Sequence, residues 1–151
     1  MNDLDFMLLA LAEAEKALEH HDVPIGAVAV KNGVVIGAGY NRREADFDPT
    51  AHAEMIAIRQ AAQAVGHWRL DGVTLYCTLE PCPMCAGAMV LARLPRLVYA
   101  APDPKAGAAG SIVDITRHPQ LNHRIDVQGG LLADEASEQL RTFFRSLRGE
   151  R

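Results

Sequence analysis

Short β-rich runs alternating with helix-length segments constrain the fold of this chain more than any other feature. Leu4, Leu8, Leu11 and Leu18 fall close to helical spacing, with Glu13, Lys16 and Glu19 on another side, which predicts a first helix over residues 4–20. Ala27-Val28-Ala29-Val30 and Val34-Val35-Ile36 then flank Lys31-Asn32-Gly33, and Asn-Gly between two β-rich runs predicts a tight hairpin. Residues 41–50 are polar and turn-rich and read as a loop. Thr50 is placed to cap a helix running to about Val65, with Met55, Ile58, Ala62 and Val65 on one side.

Val73–Thr78 reads as a strand, Pro83–Leu94 as a helix opened by its proline, and Leu97–Ala100 as a further strand. The Gly/Ala/Pro-rich stretch 101–111 follows, then a short strand at Ile125–Val127 and a last helix from Asp134 to about Leu147. Strands and helices in this order call for a layered α/β domain with crossover connections on both faces. The 151 residues suffice for one core but not two, and no internal repeat or linker interrupts them, so one domain spanning 1–151 is expected.

No apolar stretch approaches the ~20 residues of a membrane helix, and the start, Met1-Asn2-Asp3-Leu4-Asp5, is acidic where a signal peptide is basic. A cytoplasmic protein is expected. Three cysteines, Cys77, Cys82 and Cys85, do not make a disulfide framework and suit a reducing compartment with metal-bound thiolates. The net charge of −4 does not itself point to nucleic acid. It is unevenly spread: residues 1–50 hold nine acids and four bases, and residues 101–151 hold seven of each. Arg141, Arg145, Arg148 and Arg151 crowd the end of the chain. They either complement the dipole of a helix begun by Asp134, Glu135 and Glu138, or form a basic edge facing phosphates.

Two short motifs carry chemistry. His52-Ala53-Glu54 stands at the start of the second long helix, and Pro81-Cys82-Pro83-Met84-Cys85 at the start of the next. Cysteines at i and i+3 share one side of a helical turn, and a helix N-terminus favours thiolates. One imidazole and two thiolates give three protein ligands and leave the fourth position of a tetrahedral zinc open for water, as in catalytic sites. Residues at i and i+2 point about 200° apart in a regular helix, so His52 and Glu54 can face one metal only where the backbone is not yet regular. A carboxylate placed there can take a proton from water and pass it to a substrate.

Each motif alone has a plainer explanation. Cys-x-x-Cys serves structural zinc sites and redox pairs, and His-x-Glu by itself says little. Together they are specific, and no fourth cysteine or histidine stands nearby to close a structural site. His67 falls in a turn and is expected at the surface, and Cys77 lies within a strand as a small apolar residue.

His-x-Glu followed by Pro-Cys-x-x-Cys is the signature of the cytidine deaminase-like zinc enzymes. The residues 48–54, Thr78-Leu79-Glu80-Pro81-Cys82-Pro83-Met84-Cys85-Ala86-Gly87-Ala88, the stretch 103–111, Leu121-Asn122-His123 and Phe143-Phe144-Arg145 resemble the bacterial tRNA-specific adenosine deaminases over essentially the whole chain. The resemblance implies a three-layer α/β/α fold with a mixed five-stranded sheet and helices on both faces. It implies hydrolytic deamination of the wobble adenosine of an arginine tRNA to inosine, by a homodimer that binds the anticodon stem-loop at or near its interface. It implies one Zn2+ per subunit on His52, Cys82 and Cys85, with Glu54 as proton shuttle. Asn41 would bind the flipped base or its ribose, and Asp103, Lys105, His118, Asn122, Phe144 and Arg145 would line or border the anticodon groove.

From the residues alone, Asn41 and Asp103 are equally turn residues, and Phe144 fits an apolar stripe with Leu140 and Leu147 facing the core. Two rivals stand beside the tRNA function: a free nucleobase or nucleoside deaminase acting on guanine or cytosine, and a non-catalytic, zinc-stabilised subunit that binds tRNA. Glu54 speaks against the second, since a scaffold needs no general base beside its metal.

Overall fold

The computed structural model describes residues 1–149. Helix α1 (Asp3–Lys16) runs on into a 3-10 turn over Ala17–His20, and strands β1 (Gly26–Lys31) and β2 (Val34–Tyr40) form the hairpin. A single helical turn, α2 (Arg43–Asp46), precedes α3 (Ala53–Val65), β3 (Val73–Leu79), α4 (Pro83–Leu91) and β4 (Arg96–Ala101). The chain ends with β5 (Asp126–Gly129) and α5 (Ala133–Leu147). The five strands make one mixed sheet in the order β2-β1-β3-β4-β5. The β2/β1 and β1/β3 pairs are antiparallel, whereas β3/β4 and β4/β5 are parallel. Asn32 and Gly33 both adopt positive φ (52° and 75°), as the two-residue hairpin turn requires.

Side-chain alternation divides the core between two faces of the sheet. Ala27 and Ala29 of β1, Leu75 and Cys77 of β3 and Leu97 of β4 pack with α3 and α4. Val28, Val30, Tyr76, Val98 and Ala100 pack with Phe6, Met7 and Ala10 of α1 and with Ala136 of α5. This is the expected three-layer α/β/α arrangement.

Small residues set the depth at which α3 lies on the sheet. Ala53, Ala57 and Ala61 face inward, fully buried. A Cβ at Gly39 of β2 would stand 2.4 Å from the Ala53 carbonyl oxygen, so only glycine permits this approach. The start of α3 is thereby held against the end of β2.

The structure departs from the sequence expectations at four places. Thr50 does not cap α3; its N–H and hydroxyl both donate to Asp48 Oδ1 (2.8 and 2.7 Å), and His52 takes the N-cap position. The 41–50 segment is not wholly loop, because the buried Asp22 carboxylate accepts the N–H groups of Glu44 and Ala45 (2.7 and 3.2 Å) and closes the α2 turn. Helix α4 stops at Leu91 rather than Leu94, since Arg93 turns left-handed (φ 56°) and Leu94 N–H reaches back to the Met89 carbonyl (3.0 Å). In α5 the inward aromatic is Phe143, while Phe144 is 42% exposed, so the Leu140–Phe144–Leu147 stripe does not face the core.

The first-turn acids Asp134 and Glu135 and last-turn Arg145 fit the dipole of α5. Both Arg141 and Arg145 pair with Glu138 (2.8 and 3.5 Å). Arg151 lies outside the described residues. Among the described residues, no helix is long and apolar enough to cross a membrane.

Candidate metal centre and active site

The chemistry-bearing side chains meet where two helices begin. His52 is the N-cap of α3 in extended backbone (φ −79°, ψ 149°), and Cys82 is the N-cap of α4 in the same state (φ −74°, ψ 172°). Neither helix start has a side-chain cap, so both positive ends face the site. The extended backbone at His52 turns its imidazole to the same side as Glu54, which a regular helix would not allow.

His52 Nδ1 lies 3.4 Å from Cys85 Sγ and 3.6 Å from Cys82 Sγ. The ligand atoms of His52, Cys82 and Cys85 all fall within 4.8 Å of one another, and this is the group among the described residues that could hold a metal ion. The three cysteines are free thiols, and Cys77 is fully buried in β3, as its sequence setting suggested.

Electrostatics here follow burial and the thiol pair. Glu54 is 4% exposed, and loss of water pushes its carboxyl up to about 7. The Cys85 thiol beside it and the His52 imidazole pull Cys82 down to about 4, while the same contact with Cys82 and burial push Cys85 far up. His52 is raised, first by Cys82. Burial, and then the Glu54 charge, keep Cys77 a neutral thiol.

A narrow cavity of about 150 Å³ opens on these groups, lined by His52, Glu54 and Cys82 together with Asn41, Arg43 and Asp103. Asn41 is nearly buried; its Oδ1 accepts from Arg43 N–H (3.1 Å) and its Nδ2 donates to the Val23 carbonyl (3.2 Å). An amide has two donor hydrogens and two lone pairs, so one of each stays free for a ligand. Leu79 and Asp103 also border a wider groove of about 520 Å³, to which Lys105, Arg141 and Phe144 contribute.

Of the residues singled out from sequence, Asn41 and Asp103 thus share the cavity with His52, Glu54 and Cys82, and Lys105 and Phe144 line the adjoining groove. His118 and Asn122 lie exposed between β4 and β5 and line neither space. Arg145 is engaged with Glu138 and also lines neither. His67 is exposed, as expected.

Sequence reasoning missed Arg43, Ile25 and Ala106 as lining residues, overlooked Asp22, and quoted Glu80 within a motif without giving it a role. Pro24 before Ile25 marks the start of β1 near the cavity, but nothing local marks the others. A larger cavity of about 840 Å³ between α1 and α5, lined in part by Leu11, Leu18 and Phe143, lies apart from these groups.

The comparisons agree with the geometry. The family described as MafB19-like deaminase matches residues 1–148. A tRNA-specific adenosine deaminase of Bacillus subtilis (strain 168) is 48% identical over 143 residues, covering 95% of this chain and 89% of that protein. A solved structure from studies of A-to-I editing by tRNA:A34 deaminases superposes with a TM-score of 0.86 at 50% identity, covering 90% of this chain and 99% of that one. A guanine deaminase from Bacillus subtilis is more distant, with a TM-score of 0.66 at 34% identity, covering 100% and 96%. With a fold, a His/Cys/Cys group and a sequence that all point the same way, the chain belongs to the MafB19-like deaminases and, among them, to the tRNA-specific adenosine deaminases.

Proposed function

We propose that this protein hydrolyses the wobble adenosine of an arginine tRNA to inosine, using one zinc ion per subunit. The observation that carries the proposal is the convergence of one imidazole and two thiols beside a buried carboxylate, at the floor of a cavity that Asn41 also lines. Zinc–nitrogen and zinc–sulfur bonds of ordinary length at a tetrahedral angle give an N···S edge of about 3.6 Å, near the 3.4 and 3.6 Å found here. His52, Cys82 and Cys85 would hold the ion and leave one position toward the cavity. When bound, zinc makes water a nucleophile at neutral pH.

The protein's own groups do the rest. Glu54 takes a proton from the attacking water as its oxygen bonds to C6 of adenine, and passes that proton to the ring nitrogen N1. It then moves a second proton to the exocyclic amino group; the C6–N bond breaks and ammonia leaves, so adenosine and water give inosine and ammonia. Asn41 holds the base or ribose through its spare donor and acceptor. Asp103 lines both the cavity and the adjoining groove, where Lys105 and Phe144 receive the phosphate and a stacked neighbour of the flipped base. His118, Asn122 and Arg145 contact the anticodon stem-loop further out, in a homodimer acting in the cytoplasm. The protein functions as one domain over 1–151.

Greater similarity to a tRNA deaminase than to a guanine deaminase of the same organism supports RNA over a free base. The test is to incubate the zinc-loaded protein with an arginine tRNA carrying adenosine at the wobble position, beside free adenine, guanine and cytosine. Inosine in the tRNA is expected. Ammonia from a free base with the tRNA unchanged would overturn the substrate assignment.

A further inference from the structure

Glu80 stands between β3 and Cys82 and is 2% exposed. Among the described residues, no lysine or arginine forms an ion pair with it. A buried carboxylate without a cation is costly unless hydrogen bonds saturate it, and here they do. Oε1 accepts the N–H of Asp103 (3.0 Å) and the Ser111 hydroxyl, and Oε2 accepts the N–H groups of Ala109 (3.0 Å) and Ser111 (3.1 Å). All of these donors belong to the irregular stretch 103–111, which has no helix or strand to define its shape.

The neighbouring backbone adds two more ties. Glu80 N–H donates to the Ala101 carbonyl, and the Pro81 carbonyl accepts from Ala108 (both 2.8 Å). The loop is wrapped so closely that a Cβ at Gly107 would lie 2.4 Å from Glu80 Cδ. One side chain, two residues from Cys82, therefore fixes the loop that brings Asp103 and Ala106 to the cavity and Lys105 to the adjoining groove.

We infer that Glu80 is a positioning residue for substrate recognition: its buried carboxylate is the internal anchor on which the 103–111 loop is built at a fixed distance from the metal-ligating segment. The inference rests on the deaminase function for its substrate, an unpaired adenosine in an RNA loop. Glu80 does not itself line the cavity. It acts through Asp103 and its neighbours, so loosening it weakens binding of the ground and transition states alike.

The test compares zinc-loaded wild-type protein with Ser111→Ala, Ser111→Thr and Glu80→Gln, using an anticodon stem-loop RNA with adenosine at the wobble position. Ser111→Ala removes one hydroxyl donor from the loop surface and leaves the core intact. It is expected to raise KM about tenfold, the worth of one hydrogen bond to a charged group, with kcat held within about twofold. Ser111→Thr keeps the hydroxyl and is expected to restore KM. Glu80→Gln presents an amide to backbone N–H donors and is expected to raise KM further, and to lower hydrogen-exchange protection at Asp103, Ala109 and Ser111. Zinc content per subunit stays at the wild-type value throughout.

Wild-type KM in Ser111→Ala and Glu80→Gln would overturn the inference, as would lost zinc or a fall in kcat at constant KM. If the wild-type protein leaves the RNA unconverted, the proposed function fails instead. Glu80 is then judged by exchange alone, and unchanged protection across 103–111 in both variants overturns its role.

Discussion

The floor of the cavity and its walls are built by different physics. The floor is the start of α3 and of α4, where regular helices seated on a sheet deliver His52, Glu54, Cys82 and Cys85. The walls are a single helical turn and an irregular loop, each organised by a buried carboxylate: Asp22 for the α2 turn holding Arg43, and Glu80 for the loop holding Asp103. Asp22 satisfies two N–H groups, whereas Glu80 satisfies three and a hydroxyl. The floor draws its precision from packing, which disturbs chemistry when it fails. The walls draw theirs from a few hydrogen bonds, which disturb binding.

The largest expected effect breaks the floor chemically. Glu54→Ala should cut kcat by roughly 10²- to 10⁴-fold, the usual worth of a general acid–base group, while zinc stays bound. Inosine yield and metal analysis on one preparation check this, and retained turnover would remove Glu54 from its role. Stripping the metal with a chelator should likewise abolish turnover, reversibly on adding zinc. Far-UV circular dichroism should then stay native, because both core faces are built mainly from apolar side chains other than His52, Cys82 and Cys85; unfolding would mark a structural metal instead.

Next comes a break in the floor's support. Gly39→Ala forces a Cβ to 2.4 Å from the Ala53 carbonyl. It should cost about 1–3 kcal/mol in urea unfolding, as overpacking does, and reduce kcat by displacing the start of α3. Unchanged stability and kcat would mean that the approach of α3 to the sheet does not set the site.

The wall makes the opposite prediction. Asp22→Ala should cost about 1 kcal/mol, the ordinary worth of a helix cap, and raise KM several-fold at nearly constant kcat. A kcat effect as large as that of Gly39→Ala would erase the distinction between floor and wall.

The smallest effect lies outside both. The Arg96 guanidinium donates to both oxygens of Asp3 (2.9 and 2.7 Å) and the Tyr76 hydroxyl donates to one of them (2.5 Å), tying α1 to β3 and β4. These bonds hold the Asp3 carboxyl down at about 2, below its ordinary 3.8. Because the folded value is the lower one, the stabilisation is complete above about pH 4 and is lost as pH falls toward 2. The pair is about one-third exposed, so solvent screening limits the contribution to about 1 kcal/mol. Comparing the urea midpoint at pH 5 and pH 2.5, for wild type and Asp3→Asn, isolates it; an equal fall in both proteins would refute the assignment.

Where an element depends on nearest neighbours, the sequence was legible. Asn32-Gly33 specified the hairpin, Pro83 opened α4, and the spacing of His52-x-Glu54 demanded a helix start, which the structure provides. Where the controlling partner is distant, it was not. The α2 turn depends on Asp22, about twenty residues earlier, whereas at Thr50 two local bonds competed and the turn to Asp48 won over the helix cap. Phe144 looked like core because its stripe was counted along one helix; α5 instead buries the face that carries Ala136 and Phe143.

The sequence by itself determined the His52, Cys82 and Cys85 grouping, the Glu54 carboxylate beside it and the α/β alternation. Those follow from residue type and short spacing, which local backbone geometry turns directly into position. Only the tertiary structure decided that Asn41 and Asp103 share a cavity with His52, Glu54 and Cys82, and that Phe144 turns outward toward a groove. It also decided that Glu80 anchors the 103–111 loop. These depend on which distant segments the sheet order brings together, and a buried carboxylate shows its purpose only when its donors are in place.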